Sequence, residues 1–296
     1  MVRFLKLFDK DSLFLWLASK GFFHWMTDEE YLKRFYKSLM KKTLDLDNPR
    51  TFNEKLQWIK LHDRNPIYTR MVDKYEAKEY VSEILGKQVI IPTLGVYDSV
   101  EEINFCTLPE KYVLKCTHDS GTVVLCKNKE LLNIKEVKHK LKKCLDQNYY
   151  WLGREWPYKN VKSRIIAEKY MIDNQIDDLR DYKFFCFNGK VKLFKVDFDR
   201  QVNHRANYYN RNAELLPFGE CICPPDDNKK IVLPNNLSLM IEYAERLSRG
   251  IRFVRIDFYN INGDIFFGEM TFFPNSGCGP FTDDEWDKKL GDMINI

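Results

Sequence analysis

The sequence predicts an α+β fold, with a helical N-terminal region before a body built on antiparallel hairpins. Three observations predict it. Apolar side chains recur at helical spacing through the first seventy residues. Runs rich in β-forming residues, separated by turn residues, begin near residue 89. Asn-Gly pairs at 188–189 and 262–263 divide the two longest of these runs, and Asn-Gly supplies the positive φ angles that tight hairpins require.

Three helices are expected in the N-terminal region. An acidic start at Asp28 precedes an apolar stripe that runs to Met40, and the segment 52–59 repeats the same spacing. A third helix is expected from about Met71 to Leu85, because Gly86 follows it where a C-cap glycine would stand.

The predicted strands lie beyond this region. The β-rich runs are 89–97, 111–117, 122–126, 164–171, 181–198 and 253–273. Two further helices are expected between them, from Lys135 to Cys144 and from Ser238 to Leu247. The chain shows no internal repeat, so its domain boundaries have to follow changes of element type.

The composition argues against several classes of function. Lys and Arg number 47 and Asp and Glu 43, and the basic residues are spread along the chain, so no nucleic-acid partner is expected. A cytoplasmic protein is expected, since there is no run of 18 apolar residues and no signal-peptide cleavage pattern. The eight cysteines lie mostly in apolar runs, as in a reducing compartment, and the Cys221-x-Cys223 pair lacks the further ligands of a zinc site.

The segment KYVLKCTHDSGTVVL predicts two strands joined by a loop over residues 118–122. Backbone N–H groups and hydroxyls in a glycine-containing loop can face an anion, and Lys115 at the end of the first strand supplies a cation. A phosphate-binding flap and a plain hairpin are both compatible with this pattern.

The run RIIAEKYM ends in Glu168 and enters the polar loop IDNQIDDLRD. A nucleotide-base slot needs an apolar wall and backbone groups at such a hinge, with a carboxylate near the ribose. Glu168 and Asp181 suit that arrangement, although a buried strand followed by a solvated acidic loop has the same sequence pattern.

The segment VRIDFYNINGDIFFGEMTFFPNSG carries the strongest prediction of a site. A hairpin turn at 262–263 sets Asp257 opposite residue 268, within one residue of Glu269. Both acids interrupt apolar runs, where an isolated charge is costly, so a cation or an arginine partner is expected. Oxygen ligands favour Mg²⁺. The alternative is an ion pair between Arg255 and Glu269 at the surface.

These residues, in this order, resemble the ATP-grasp superfamily. The pattern consists of Asp73-Lys74-Tyr75 on a helix, Lys115 before a glycine loop, Glu168-Lys169-Tyr170-Met171 at a hinge, and Asp257 with Glu269 across a hairpin. More closely, DKYEAKEYV, LPEKYVLKCTHDSG, EWPYKN, DYKFFCFNGK, VRIDFY and GEMTFFPNSG resemble the TupA-like branch found in bacterial surface-polysaccharide gene clusters. The similarity runs from about Phe52 to Gly279.

The resemblance implies an ATP-grasp fold, in which two α+β lobes sandwich ATP. The domains it implies are a helical region over 1–104, a lid lobe with the phosphate flap over 105–170, and a metal-binding lobe over 171–296. Its cofactors would be ATP and Mg²⁺.

The resemblance also implies roles for individual residues. The phosphates would be bound by Lys74, Lys115, Lys183 and the flap residues Ser120, Gly121 and Thr122. Adenine would be held by Glu168, Lys169, Tyr170 and Met171, with Asp181 near the ribose. The metal ligands would be Asp257 and Glu269. The catalytic group would comprise Lys115, Arg255 and Arg205. The role of Arg205 comes from its position and not from the resemblance: with His204, in the loop after Asp199-Arg200, it would face the acceptor carboxylate, and a solvated loop is the alternative.

One position departs from the superfamily pattern. Many ATP-grasp enzymes have Glu-x-Asn on the last strand, whereas this chain has Thr271 in the third position. Either Thr271 or Asn275 would then complete the metal shell, and the pattern is compatible with one or with two Mg²⁺ ions.

The activity implied by the resemblance is that of a carboxylate–amine ligase. Its partners would be a uronic-acid-containing saccharide, nucleotide-linked or lipid-linked, and an amino acid or amino alcohol as amine donor. A glycosyltransferase and an ATP-dependent phosphotransferase acting on a glycan hydroxyl are the alternatives.

The N-terminus contains a further feature, a concentration of apolar and aromatic residues. They are Phe4, Leu5, Phe8, Leu13, Phe14, Trp16, Leu17, Phe22, Phe23 and Trp25. Such residues either contact the inner face of a membrane as an interfacial anchor or pack a helical lobe against the body.

Overall fold

Two antiparallel sheets and their covering helices make up the chain, in a computed structural model that describes residues 9–173, 179–200 and 202–296. The helices are α1 (Lys10–Ser19), α2 (Asp28–Met40), α3 (Phe52–His62), α4 (Ile67–Val72), α5 (Glu76–Leu85), α6 (Ile134–Leu145), α7 (Tyr150–Gly153), α8 (Leu237–Leu247) and α9 (Asp284–Asp292). The strands are β1 (Thr93–Tyr97), β2 (Tyr112–Cys116), β3 (Val123–Cys126), β4 (Ile165–Lys169), β5 (Asp181–Phe187), β6 (Lys190–Phe198), β7 (Arg205–Asn210), β8 (Phe253–Ile261) and β9 (Asp264–Thr271).

Capping boxes define where the predicted N-terminal helices begin. In α2 the side chains of Thr27 and Glu30 each bond the other's backbone N–H, and Thr51 and Glu54 do the same for α3. These two helices confirm the sequence prediction.

The single helix predicted from Met71 to Leu85 is wrong, because the chain breaks between α4 and α5. The carboxylate of Asp73 accepts hydrogen bonds from the backbone N–H groups of Tyr75, at 2.8 Å, and Glu76, at 3.2 Å. This local cap competes with continuous helix, so Asp73-Lys74-Tyr75 lies in a turn and not on a helix. The end at Gly86, with φ 95°, is as predicted.

The smaller sheet, which we call the lid sheet, has the strand order β1-β4-β2-β3. Helix α6 packs against β2, and buried side chains such as Leu114, Leu141 and Ile165 form its core. β1 comes from before residue 105, so the lid sheet extends beyond the segment 105–170 that was expected to form this lobe. The exact domain boundaries stay a prediction.

The larger sheet, which we call the base sheet, has the order β7-β6-β5-β8-β9 with every pair antiparallel. The two Asn-Gly pairs turn its hairpins as predicted. Asn188 and Gly189 have φ 50° and 74°, and Asn262 and Gly263 have φ 53° and 90°. The strand β7 was not predicted.

The two faces of the base sheet differ in character because side chains alternate along each strand. Helix α8 covers one face, where Phe184, Phe194 and Ile256 are fully buried. Asp181, Lys183 and Asp257 share the other face, since Asp181 and Lys183 are two residues apart on β5 and Lys183 pairs with Asp257. This second face carries the candidate site.

The N-terminal helices form a separate small core. Phe14 and Ala18 of α1 pack with Tyr31, Leu32 and other residues of α2. Phe4, Leu5 and Phe8, which the sequence singled out, lie outside the described residues, as does part of the polar loop, 174–178. Within the described ranges, no helix has both the length and the apolar character needed to cross a bilayer.

Candidate active site

A cleft of about 580 Å³ lies between the lid sheet and the base sheet. Alternate residues of β2 and β3 form its roof and the end of β4 forms one side. Tyr259 of β8 and Arg200, two residues after the end of β6, come from the side of the base sheet. The lining residues are Ile91, Lys111, Val113, Lys115, Val123, Leu125, Lys127, Glu168, Lys169, Tyr170, Met171, Ile172, Asp173, Leu179, Arg200 and Tyr259. The hinge predicted to hold adenine, Glu168 to Met171, therefore borders an open cleft with apolar and cationic walls.

Glu168 is buried at this hinge and is held by two lysines. One carboxylate oxygen lies 2.7 Å from the Nζ of Lys115, and the other contacts the Nζ of Lys78. Burial raises the pKa of Glu168, but the charges of Lys115 and Lys78 outweigh it and leave the pKa below its ordinary value. The carboxylate thus stays ionised at neutral pH.

Lys78 is a site residue that sequence reasoning missed. Its Nζ also donates to the carbonyl of Ile91, at 2.8 Å, and to the hydroxyl of Thr93, at 3.1 Å. Burial lowers the pKa of Lys78, and Glu168 only partly opposes this. The available signal was a second lysine four residues after Lys74, within the segment predicted to be helical.

We predict that Lys78→Met weakens ATP binding by about tenfold, because the full charge of Glu168 would then draw Lys115 away from a phosphate. Isothermal titration with a non-hydrolysable ATP analogue measures the dissociation constant. Lys87→Met, an exposed position just after the same helix, is the matched control. Unchanged affinity in a folded Lys78→Met protein would contradict the role given to Lys78.

The loop predicted as a phosphate flap joins two paired strands, with Lys115 opposite Val123. Two contacts hold the base of this loop in place. The Nζ of Lys74 contacts the carbonyl of Asp119, and the Asp119 carboxylate accepts a hydrogen bond from the backbone N–H of Thr122 at 3.2 Å. Its tip is exposed at Ser120 and Gly121, and Gly121 has φ 104° with open space where a side chain would stand. Lys74 therefore braces the flap, and its expected contact with phosphate stays a prediction.

Asp257 and Glu269 pair directly across β8 and β9. The expected offset of one residue is absent because a bulge between Asp257 and Phe258 shifts the register. The Arg255 guanidinium donates two bonds of 2.7 Å to Asp257 and one of 3.1 Å to Glu269. The expected arginine partner is thus present. Arg255 also forms the ion pair with Glu269 that was the alternative; its own side chain and that of Asp257 are buried, whereas the Glu269 side chain is 39% exposed.

Lys183 completes this cluster from β5. Its Nζ lies 2.7 Å from Asp257 and 3.2 Å from Asp181. Burial raises the pKa of Asp257, and the charges of Arg255 and Lys183 outweigh it, so the pKa of Asp257 is below its ordinary value. Asp181 forms ion pairs with Lys183 and Arg200. To bind a ribose as predicted, its carboxylate would have to accept hydrogen bonds from the ribose hydroxyls in addition to these ion pairs.

Three further charged residues of this face were missed. Lys195 and Asp197 lie on β6, and Glu220 bonds Lys195 at 2.8 Å. The same signal that revealed Asp257, a charged residue inside an apolar strand, was present in KLFKVDF.

Arg205 lies on the other side of the base sheet. It pairs with Phe198, whereas Asp181 pairs with Asp197, one residue earlier on β6. Because alternate residues face opposite ways, the register does not bring Arg205 together with the charged face. His204 does reach that face, with its Nε2 3.6 Å from Asp197. The expectation that Arg205 faces an acceptor carboxylate stays a prediction, with Arg205 placed away from the charged face.

A left-handed turn follows strand β9. Asn275 and Ser276 have φ 50° and 54°, and Gly277 has φ 62°. The buried Nζ of Lys60 donates to the carbonyls of Ser276, at 2.8 Å, and Gly153, at 2.7 Å. Lys60 thus connects α3, α7 and this turn.

Asp257 and Glu269 supply oxygen donors of the kind that Mg²⁺ takes, but Arg255 donates to both of them, so an ion shared by the two carboxylates would take the place of its guanidinium. Asp257 and Glu269 are adjacent oxygen donors, and Glu269 is partly exposed. The hydroxyl of Thr271 already accepts from Arg255 at 3.0 Å and donates to Glu269 at 3.1 Å. Within the described part of the chain no group of three or more His, Cys, Asp or Glu side chains could hold a metal by itself. Two carboxylates together with substrate phosphates are a usual set for Mg²⁺.

A cleft between two antiparallel sheets, with a flap loop on the lid sheet and paired carboxylates on neighbouring strands of the base sheet, is the arrangement of an ATP-grasp protein. The model of the family described as TupA-like ATP-grasp matches residues 54–295. The chain belongs to this TupA-like ATP-grasp family, and the predicted resemblance and fold class are confirmed.

Several solved structures are similar at low identity. The D-alanine–D-alanine ligase of Helicobacter pylori is 15% identical with a TM-score of 0.41, covering 82% of this chain and 69% of that one. The Bacillus anthracis ligase, complexed with ATP, is 16% identical with a TM-score of 0.41, covering 76% and 63%. The Thermotoga maritima phosphoribosylamine–glycine ligase is 14% identical with a TM-score of 0.41, covering 71% and 50%. No curated protein matches the sequence.

Proposed function

We propose that this protein is an ATP- and Mg²⁺-dependent carboxylate–amine ligase that forms an amide on a uronic acid of a capsular or O-antigen precursor. The observation that carries the proposal is the pair of carboxylates, Asp257 and Glu269, held by Arg255. Asp257 lies two residues from Tyr259 on β8, and Tyr259 lines the cleft, although the pair and Arg255 are not among the lining residues. Membership of the TupA-like ATP-grasp family supports the use of ATP.

The cleft has the features that ATP binding needs. Tyr170 and Met171 lie where the chain leaves β4, and Val113 and Leu125 supply an apolar roof above them. Lys111, Lys115 and Lys127 add positive charge to the same wall. An adenine between the hinge and the roof would direct its phosphates toward the flap and Lys115.

In the proposed first step, a carboxylate oxygen of the uronic acid attacks the γ-phosphorus, and the bond between that phosphorus and the ADP oxygen breaks. Lys115 and Arg255 would stabilise the charge on the transferring group. When bound between Asp257 and Glu269, Mg²⁺ would offset the charge of the phosphate oxygens.

In the second step, an amine attacks the carbonyl carbon of the acyl phosphate. The bond from carbon to the phosphate oxygen breaks, phosphate leaves, and the nitrogen loses a proton. The flap, with its exposed tip at Ser120 and Gly121, would exclude water that could otherwise hydrolyse the intermediate.

The test is incubation of the purified protein with ATP, Mg²⁺, a nucleotide-linked hexuronate and a pool of amino acids and amino alcohols. ADP release that depends on both the uronate and an amine is expected, with a product heavier by the amine less water in mass spectrometry. Phosphate retained on the sugar would indicate a phosphotransferase, and sugar transfer without ATP consumption would indicate a glycosyltransferase. Either result would overturn the proposal.

A further inference from the structure

A cysteine, a histidine and an aspartate meet beside the charged face of the base sheet, and we call them the thiol cluster. The Sγ of Cys223 lies 3.2 Å from the Nδ1 of His204 and 3.7 Å from its Nε2. The same Nε2 lies 3.6 Å from the Oδ2 of Asp197. An imidazole between a thiol and a carboxylate is the arrangement in which a base takes the proton of a nucleophile and a third group stabilises that base.

Three separate segments bring the thiol cluster together. Asp197 lies on β6, His204 immediately precedes β7, and Cys223 belongs to the loop that follows β7. This loop is held by its own contacts, because the backbone of Glu220 pairs with that of Cys223 and the side chain of Glu220 bonds Lys195 of β6 at 2.8 Å. The thiol is therefore held near the imidazole by the fold around it.

The protonation state of Cys223 gives the imidazole a possible role. Cys223 is 6% exposed, and burial raises the pKa of its thiol. Two cations and two acids also act on this thiol: Lys195, Arg200, Asp197 and Glu220. The sulfur is thus held as a thiol at neutral pH, so its attack on an electrophile needs a base that takes the proton as the new bond forms. His204 is in position to be that base.

Ion-pair contacts connect the thiol cluster to the candidate active site. The Oδ2 of Asp197 that faces His204 also lies 2.8 Å from Arg200, which lines the cleft. The same oxygen lies 3.8 Å from the Nζ of Lys183, and that Nζ is 2.7 Å from Asp257. The thiol cluster is not itself among the residues that line the cleft, but the His204 side chain is 36% exposed. Only two side chains, those of Asp197 and Lys183, separate it from Asp257.

We propose that Cys223 is a nucleophilic thiol that accepts the acyl group of the activated uronate, with His204 as its proton acceptor. This inference rests on the proposed ligase function and divides its second step into two displacements. In the first, the Cys223 sulfur attacks the carbonyl carbon of the acyl phosphate and its proton passes to His204. The bond from carbon to the phosphate oxygen breaks, and phosphate leaves.

In the second displacement, the amine nitrogen attacks the carbonyl carbon of the thioester. The carbon–sulfur bond breaks, the sulfur regains its proton from His204, and the nitrogen gives up a proton to solvent. Between the two displacements His204 is an imidazolium, and the carboxylate of Asp197 stabilises its charge. Asp197 is therefore a positioning residue in this scheme.

The first experiment measures the reactivity of the thiol without any turnover. The full chain carrying Cys221→Ser is treated with iodoacetamide at neutral pH, and peptide mass spectrometry follows the alkylation of each cysteine. We expect His204→Asn to slow alkylation of Cys223 by about tenfold or more and to leave that of the exposed Cys106 unchanged. His139→Asn, at an exposed position on α6, is the matched control and should change neither rate. Circular dichroism checks that the variants keep their fold.

The second experiment looks for the thioester. The parent protein is incubated with ATP, Mg²⁺ and a nucleotide-linked hexuronate, without an amine. Intact-protein mass spectrometry should show an adduct with the mass of the uronate substrate less water. Neutral hydroxylamine should remove this adduct, and Cys223→Ala should not form it.

Two results would overturn the role of Cys223 and leave the ligase function standing. They are equal alkylation of Cys223 in the parent and His204→Asn proteins, and amide formation at the parent rate in a folded Cys223→Ala protein. If the parent showed no amine-dependent ADP release, the ligase function would fail and acyl transfer to Cys223 with it. The alkylation rates distinguish the two failures, because they are measured without substrate.

Discussion

Replacing Asp257 with Asn is expected to lower ATP turnover by about 10²–10³-fold, the effect typical of losing one group that stabilises transition-state charge. Asparagine keeps the shape but removes the negative charge that Arg255 and Lys183 share. Both cations would remain buried without that partner, and a bound Mg²⁺ would lose a carboxylate ligand. ADP release measured over a range of Mg²⁺ concentrations should show a lower maximal rate together with a higher Mg²⁺ requirement.

Asp264→Asn is the matched control for this variant. Asp264 lies on the same β8–β9 hairpin, at its exposed turn end. The Asp264→Asn protein should turn over ATP at the parent rate. If Asp257→Asn retained full activity and the parent Mg²⁺ dependence while staying folded, Asp257 could not be a metal ligand of the reaction.

Replacing Lys60 with Met is expected to lower the free energy of unfolding by about 3 kcal/mol or more. The side chain is fully buried, and its loss would leave the Gly153 carbonyl and the side-chain oxygen of Gln57 without the Lys60 donor, while Gln57 would still donate to the Ser276 carbonyl. Burial raises the pKa of the neighbouring Glu155, and Lys60 and Ser276 oppose this. Without Lys60 that buried carboxyl would lose its compensating charge. Urea denaturation followed by circular dichroism measures the change.

A double variant separates the two causes of this loss. If the charge of Glu155 dominates, Glu155→Gln should restore part of the stability in a Lys60→Met background. If the unsatisfied oxygens of Gly153 and Gln57 dominate, it should restore little. Lys37→Met, an exposed position on α2, should change stability by less than about 0.5 kcal/mol. A Lys60→Met protein as stable as this control would refute the structural role of Lys60.

Local rules made much of the fold predictable from the sequence. The Thr-x-x-Glu capping boxes and the Asn-Gly turns act over a few residues, so the starts of α2 and α3 and both hairpins could be predicted. The break at Asp73 was missed because a side-chain cap outweighed an otherwise continuous helical pattern.

Placing Asp257 within one residue of Glu269 was also within reach of the sequence, since a two-residue turn determines which residues face each other, but the bulge that pairs them directly was not predicted. The ion-pair partners of Glu168 could not be predicted from the sequence. Lys78 stands 90 positions before it in the chain, and only the packing of α5 beside the lid sheet brings the two charges together.

The sequence by itself therefore determined the family, the α+β class and the two paired carboxylates, because each depends on spacing along one hairpin or on ordered motifs. Tertiary structure alone decided that Arg205 lies away from the charged face, since this depends on the register of β7 against β6. It also decided which lysines hold Glu168 and which residues Lys60 connects. Strand register and helix packing depend on contacts between distant segments, and no local pattern encodes them.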